Sequence, residues 1–122
     1  MSGINFLADT NAFNYLLDDK FHYSQLLDGN WAFSYITEIE LLSNKNSTLE
    51  HEAIIIEMLN KCFRISHNQY ITEKTIFIRK TYGLKLPDAI IVSSSIISGL
   101  PLISADKQLE KVKELDLILI QP

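Results

Sequence analysis

The sequence contains four acidic residues that stand where a strand is predicted to end or a helix to begin: Asp9, Glu40, Asp88 and Asp106. In a parallel sheet, the carboxyl ends of the strands and the starts of the following helices share one edge. The four carboxylates are therefore expected to meet in one small site. Like charges held a few ångströms apart in partly desolvated surroundings repel each other strongly. A bound divalent cation would compensate this repulsion.

The ligand types available at this edge predict which cation it would bind. All four side chains offer oxygen atoms, and no group of Cys and His residues has the spacing of a zinc site. Oxygen ligands favour Mg²⁺ or Mn²⁺ over zinc. Such ions typically hold substrate phosphates while an activated water attacks in line. The pattern therefore favours metal-dependent chemistry on a phosphate ester.

Each of the four acids also has an ordinary structural interpretation. Asp9 could be the N-cap of the helix that follows it. Glu40 would complete a capping box with Thr37. Asp88 would complement a helix dipole, and Asp106 could cap a helix. Their joint placement at strand and helix boundaries favours a common site over four separate caps.

The elements that would position these acids alternate between strands and helices. The predicted strands are residues 4–8, 31–36, 63–65, 102–104 and 117–120. The predicted helices are residues 12–17, 22–27, 48–61, 68–82, 89–98 and 107–112, and another begins at Thr37. Ser47 and Glu50 form a possible capping pair, and Gly83 and Gly99 are natural helix ends. This alternation predicts an α/β fold with a central, mainly parallel sheet of four to five strands and helices on both faces.

Length and composition predict one globular domain, residues 1–122. The single cysteine, Cys62, argues against an internal disulfide framework and suits a reducing compartment. The net charge of −4 argues against broad electrostatic binding to nucleic acid, although it permits a local basic patch beside an acidic site. No signal peptide and no membrane span are predicted, so we expect a cytoplasmic protein without a membrane partner.

Four short stretches of the sequence match a known family in the same order along the chain. They are residues 6–11 (FLADTN), 36–41 (ITEIEL), 86–90 (LPDAI) and 102–106 (LISAD). Through these stretches, which span nearly the whole chain, the protein resembles the PIN-domain ribonucleases. Within that family it resembles the VapC-type toxins of bacterial toxin–antitoxin pairs. Each string occurs by chance elsewhere, but the four together are a specific pattern.

The resemblance implies an acidic quartet that binds metal and performs catalysis: Asp9, Glu40, Asp88 and Asp106. It also implies polar residues that orient the carboxylates or metal-bound water: Thr10, Asn11 and Ser104. Glu38 competes with Glu40 for the second acidic position, and only one should face the site, because residues two apart on a helix point to opposite sides. We choose Glu40, since Leu41 follows it as in the family. Asn44 stands where the family often has glycine.

The resemblance further implies a PIN-like three-layer α/β/α fold and an Mg²⁺- or Mn²⁺-dependent endoribonuclease, the toxin of a type II toxin–antitoxin system. Its partners would be an RNA substrate, a cognate antitoxin protein and a second copy in a homodimer. Several basic residues close to the acids could hold an RNA backbone or simply form a solvated helix face: Arg79, Lys80, Lys85 and Lys107.

Two other functions stay open at this point. A PIN-like module could bind RNA or protein without cutting, which would suit the acidic charge balance. A phosphoryl-transfer domain of the haloacid-dehalogenase or response-receiver type would also place a nucleophilic aspartate at a strand end. Asn11 stands where the former needs a second aspartate, and the paired acids of the receiver are missing near the start of the chain. Cleavage of RNA with and without Mg²⁺ would distinguish a nuclease from a binding module.

Overall fold

A five-stranded parallel sheet forms the centre of the protein. The structure is a computed structural model that describes residues 3–121. The strands are β1 (Phe6–Ala8), β2 (Trp31–Ser34), β3 (Phe63–Ile65), β4 (Leu102–Ser104) and β5 (Leu117–Leu119). Their order across the sheet is β3-β2-β1-β4-β5, and every neighbouring pair is parallel. All five carboxyl ends therefore lie at one edge, with β1 in the middle.

Helices connect these strands. They are α1 (Thr10–Leu17), α2 (Ser24–Leu27), α3 (Tyr35–Leu42), α4 (Leu49–Asn60), α5 (Gln69–Tyr82) and α6 (Leu86–Ser98). A 3-10 helix, Lys107–Lys111, lies where a short helix was predicted. Gly83 and Gly99 end α5 and α6 with φ of 70°, in the left-handed conformation expected of helix-ending glycines. Within residues 3–121, no helix is both long and apolar enough to span a bilayer.

Successive side chains of the strands point to opposite faces of the sheet and pack against different helices. Leu7 belongs to a core cluster that includes Ile91 of α6. The next residue, Ala8, belongs to a second cluster with Phe13 of α1 and Ile55 of α4. Helices therefore cover both faces of the sheet. This three-layer α/β/α arrangement confirms the predicted fold class.

The junction between β2 and α3 differs from the prediction. β2 ends at Ser34, and α3 begins at Tyr35 rather than at Thr37. Ser34 is the N-cap, since its hydroxyl oxygen accepts a hydrogen bond from the Ile36 N–H at 3.2 Å. The predicted capping box was wrong, and Glu40 lies in the second turn of α3. The aromatic and β-branched residues 35–36 favour a strand only weakly, and tertiary packing overrides that preference.

The start of α4 also differs from the prediction. Thr48 is the N-cap, and its hydroxyl oxygen accepts a hydrogen bond from the His51 N–H at 3.1 Å. The predicted capping pair of Ser47 and Glu50 was therefore wrong. The buried hydroxyl of Ser47 has no hydrogen-bond partner among the described residues. Two adjacent hydroxyl residues compete for one cap, and the backbone geometry at Thr48 decides between them.

Replacement of Thr48 by alanine tests the corrected start of α4. The Thr48→Ala variant loses the acceptor for the His51 N–H, so we expect the free energy of unfolding to fall by about 1 kcal/mol. Ser47→Ala is the matched control, because it removes a neighbouring hydroxyl that makes no cap bond. Its stability should stay within about 0.5 kcal/mol of wild type. Urea denaturation followed by circular dichroism measures both, and a larger loss in Ser47→Ala would contradict the assignment.

Candidate active site

Asp9 lies at the carboxyl end of the central strand and is the N-cap of α1. Its backbone N–H donates to the Ile103 carbonyl of β4 at 2.9 Å, and the residue is only 6% exposed. Carboxylate atom Oδ1 accepts the Thr10 N–H at 2.7 Å. Atom Oδ2 accepts the Ser104 hydroxyl at 2.7 Å and the Asn11 side-chain amide at 3.3 Å. These donors make the buried carboxylate tolerable in the interior.

The same hydrogen-bond network holds the segment that carries Asp106. Asn11 Oδ1 accepts the Ala105 N–H at 3.1 Å, and its Nδ2 donates to Ser104 Oγ at 3.3 Å. Ser104 Oγ also accepts the Asp106 N–H at 3.0 Å. Asp106 Oδ1 accepts the Gln108 N–H at 3.0 Å, which is the cap role considered for it. The segment after β4 is thus fixed to the start of α1.

Glu38 and Glu40 of α3 have different partners. The Thr10 hydroxyl donates to Glu40 Oε1 at 2.6 Å, which brings Glu40 to the end of β1 beside Asp9. Glu38 instead forms an ion pair with Arg64, with 2.6 Å between Oε1 and Nη2. Of the two candidates, the structure therefore places Glu40 with the other acids.

Asp88 lies in the first turn of α6, directly after Pro87, and is half-buried. Burial raises the pKa of Asp88 above its ordinary value. The negative charges of Asp106 and Glu40 raise this pKa further, while the Lys85 ammonium lowers it. Asp88 therefore faces acids that come from two other elements.

The repulsion extends to the most buried acid. Burial is the largest cause that raises the pKa of Asp9 to about 6. Hydrogen bonds from Ser104 and Thr10 oppose this rise in pKa. The charges of Asp88 and Glu40 add to it. At neutral pH the site therefore holds carboxylates that repel one another through partly desolvated surroundings.

Hydrogen bonds to Thr10 link Asp9 and Glu40, and charge effects link Asp88 to Asp9, to Glu40 and to Asp106. We call these four acids the acidic site: Asp9, Glu40, Asp88 and Asp106. Within residues 3–121, no three Asp, Glu, His or Cys side chains are arranged so that they could hold an ion among themselves. Mg²⁺ usually binds one or two protein carboxylates and keeps several waters. The acidic site offers only oxygen ligands and a negative charge, which fits this mode of binding and does not suit zinc.

Thr37 is a neighbour of the acidic site that the sequence prediction placed in a capping box. It is fully buried, and its Oγ1 lies 3.0 Å from Thr10 Oγ1. The predicted supports Thr10, Asn11 and Ser104 all contact the acids, as described above. Thr37 stands three residues before Glu40, and this spacing places both on one face of a helix. The three-residue spacing from Glu40 is the sequence feature from which a position for Thr37 near the acidic site could have been predicted.

The chain matches the PIN domain family model over residues 6–115. A toxin–antitoxin complex from Klebsiella pneumoniae contains a chain that is 27% identical, with a TM-score of 0.77, covering 93% of this chain and 96% of that one. A chain of VapBC2 from Rickettsia felis bound to a promoter DNA fragment is 16% identical with a TM-score of 0.82, and the match covers 97% of this chain and 100% of that one. A chain of VapBC-1 from nontypeable Haemophilus influenzae is 19% identical with a TM-score of 0.79, and the match covers 95% of this chain and 98% of that one. No curated protein sequence matches significantly.

The likenesses to the Rickettsia and Haemophilus structures, at low identity, concern the fold alone. The family match covers most of the chain and all four members of the acidic site. It agrees with the central parallel sheet of the structure. The chain therefore belongs to the PIN domain family.

Proposed function

We propose that this protein is a metal-dependent endoribonuclease that hydrolyses RNA phosphodiester bonds with Mg²⁺ or Mn²⁺. We propose further that it is the VapC-type toxin of a type II toxin–antitoxin system. The observation that carries the proposal is the buried carboxylate of Asp9 at the end of the central strand, which Thr10 links by hydrogen bonds to Glu40. Burial, with the charges of Asp88 and Glu40 adding to it, raises the pKa of Asp9 to about 6. Repelling carboxylates from four separate elements reduce stability unless a cation neutralises them.

The members of the acidic site would have different roles toward the ion. Asp9 and Asp88 would be its direct ligands, because Asp9 is the most buried of the four acids and the charge of Asp88 acts on it. Glu40 and Asp106 would complete its surroundings, either directly or through water. When bound, Mg²⁺ or Mn²⁺ supplies positive charge to the scissile phosphate and acidifies a water. The carboxylates are held in place by hydrogen bonds from three positioning residues: Thr10, Asn11 and Ser104.

Two lysines beside the acidic site support an RNA substrate. Lys85 lies close enough to Asp88 to lower the pKa of that carboxyl group. Lys107 directly follows Asp106 and is exposed. Ammonium groups beside a phosphodiesterase centre would bind the RNA backbone without reading its sequence.

The proposed protein partners are an antitoxin and a second copy of this chain. The toxin–antitoxin complexes among the similar structures support the antitoxin. Apolar side chains next to the acids support a protein partner of either kind: Ile39, beside Glu40, is 55% exposed, and Leu86, in the first turn of α6, is 49% exposed. A cytoplasmic location, where thiols stay reduced, would suit the unpaired Cys62.

A PIN module that binds RNA or protein without cutting is the second candidate. The net charge of −4 weakens general attraction to RNA. Among residues 3–121, no ready-made set of three ligands for a metal ion is present. The missing ligand set favours this alternative, and the charge favours protein over RNA as what the module binds. It differs from the nuclease in predicting no strand cleavage when metal is supplied.

Cleavage of labelled RNA by the purified protein tests the nuclease. We expect cleavage with Mg²⁺ or Mn²⁺ and none in EDTA. Asp9→Asn and Asp88→Asn should each lower the rate about 100-fold or more, because each removes a negative ligand. Asp116→Asn is the matched control, since this exposed aspartate precedes β5 at the opposite edge of the sheet. Equal cleavage in EDTA, or full activity in both site variants, would contradict the proposal.

The stability of the metal-free protein tests the repulsion itself. Folding raises the pKa of Asp88, so the ionised carboxylate at high pH makes the folded state less stable. At low pH the group is protonated in both the folded and the unfolded state, and this loss of stability disappears. At pH 8 in EDTA, the free energy of unfolding of Asp88→Asn, measured by urea denaturation, should therefore exceed that of wild type by up to about 1 kcal/mol. The gain should shrink as the pH falls toward 4.

Asp116→Asn again serves as the control for this measurement, and its stability relative to wild type should not change with pH in this way. Addition of Mg²⁺ should stabilise the wild type and leave Asp88→Asn nearly unchanged. A large loss of stability in Asp88→Asn at pH 8 would show that this carboxylate serves the start of α6 rather than a cation site.

A further inference from the structure

Thr37 has a buried hydroxyl group that has no role in the proposed catalytic mechanism. The residue is fully buried in α3, and its Oγ1 lies 3.0 Å from Thr10 Oγ1. Thr10 Oγ1 in turn donates to Glu40 Oε1 at 2.6 Å. The three side chains form a continuous series of hydrogen bonds that runs from the protein interior to the exposed Glu40.

The direction of this series follows from the number of protons available. A hydroxyl group has a single proton to donate, and an ionised carboxylate only accepts. Thr10 gives its proton to Glu40, so in its contact with Thr37 it must be the acceptor. Thr37 is therefore the donor. A hydroxyl that accepts a hydrogen bond becomes a stronger donor, so Thr37 orients and strengthens the bond to Glu40.

A second buried threonine shows that Thr37 does not follow the usual pattern for its residue type. Thr75 of α5 is 6% exposed, and its hydroxyl donates to the Ile71 carbonyl one turn earlier, at 2.7 Å. Such bonds within the helix are the ordinary way to satisfy a buried threonine hydroxyl. Thr37 instead directs its proton across to α1, at the residue that contacts Glu40.

We propose that Thr37 is a positioning residue that holds Glu40 at the acidic site through the Thr10 hydroxyl. The proposal rests on the proposed function, because the role of Glu40 is part of it. Thr37 has no contact with solvent, so it would touch neither the RNA nor the ion. Its loss should therefore affect metal binding and kcat rather than the KM for RNA.

Three variants separate this role from a merely structural one. Thr37→Val keeps the shape and removes the donor, and Thr37→Ser keeps the donor. Thr75→Val removes a buried hydroxyl whose hydrogen bond stays within α5. We measure kcat and KM for RNA cleavage, Mn²⁺ affinity by calorimetry, and the Glu40 side-chain carboxyl carbon signal by NMR at fixed pH. Urea denaturation shows that each variant is folded.

We expect Thr37→Val to lower kcat about tenfold and to weaken Mn²⁺ binding several-fold, with KM within about twofold of wild type. Its Glu40 carbon signal should move. Thr37→Ser should restore kcat, Mn²⁺ affinity and the signal. Thr75→Val should lose stability while its kcat, its Mn²⁺ affinity and its Glu40 signal stay at wild-type values.

Wild-type values of kcat, Mn²⁺ affinity and the Glu40 signal in Thr37→Val would overturn the inference while the nuclease stands. Equal losses in Thr37→Ser or in Thr75→Val would overturn it too, because they would show a general packing effect. If wild-type protein cuts no RNA with any metal, the proposed function fails. The Mn²⁺ affinity and the Glu40 signal then still decide whether Thr37 positions Glu40.

Discussion

The buried carboxylate of Asp9 is the group on which the rest of the site depends. A charge in the protein interior is unfavourable unless hydrogen bonds replace its lost water. Here the donors are the Thr10 N–H, the Asn11 amide and the Ser104 hydroxyl, which belong to α1 and β4. The Ser104 hydroxyl reaches Asp9 only because β1 and β4 are parallel neighbours. The topology of the sheet and the ionisation of one side chain are therefore linked.

The parallel sheet explains how distant parts of a short chain supply one site. Each strand ends at the same edge, so the turn after β1 and the segment after β4 are brought together with the helices α3 and α6. Burial and the negative charges of neighbouring acids raise the pKa of Asp9 and Asp88, which is unfavourable for folding without a ligand. The proposed cation would offset this loss of stability when it binds.

The sequence was sufficient to predict the alternation of strands and helices and the parallel sheet. These features follow from apolar runs and from boundary residues such as Gly83 and Gly99, which act locally. The helix starts were harder, because several hydroxyl residues stand close together and each could be a cap. Ser34 and Thr48 were chosen by backbone geometry, which no pattern of residue types records.

The hydrogen bonds that support the acidic site could not be predicted from local sequence patterns, because they join residues far apart in the chain. Thr10 contacts residues 27 and 30 positions later in the chain, and Ser104 reaches back 95 positions to Asp9. Only the folded sheet defines such pairs. The preference for Glu40 over Glu38 agrees with the structure, yet the physical reason, an ion pair between Glu38 and Arg64, was not visible in the sequence.

The most direct test of a cation site at this edge is X-ray diffraction from crystals soaked in Mn²⁺, with data collected near the manganese absorption edge. We predict an anomalous peak within about 2.5 Å of a carboxylate oxygen of Asp9 or Asp88. A crystal that binds Mn²⁺ only at other places, with no peak between these two residues, would contradict the account.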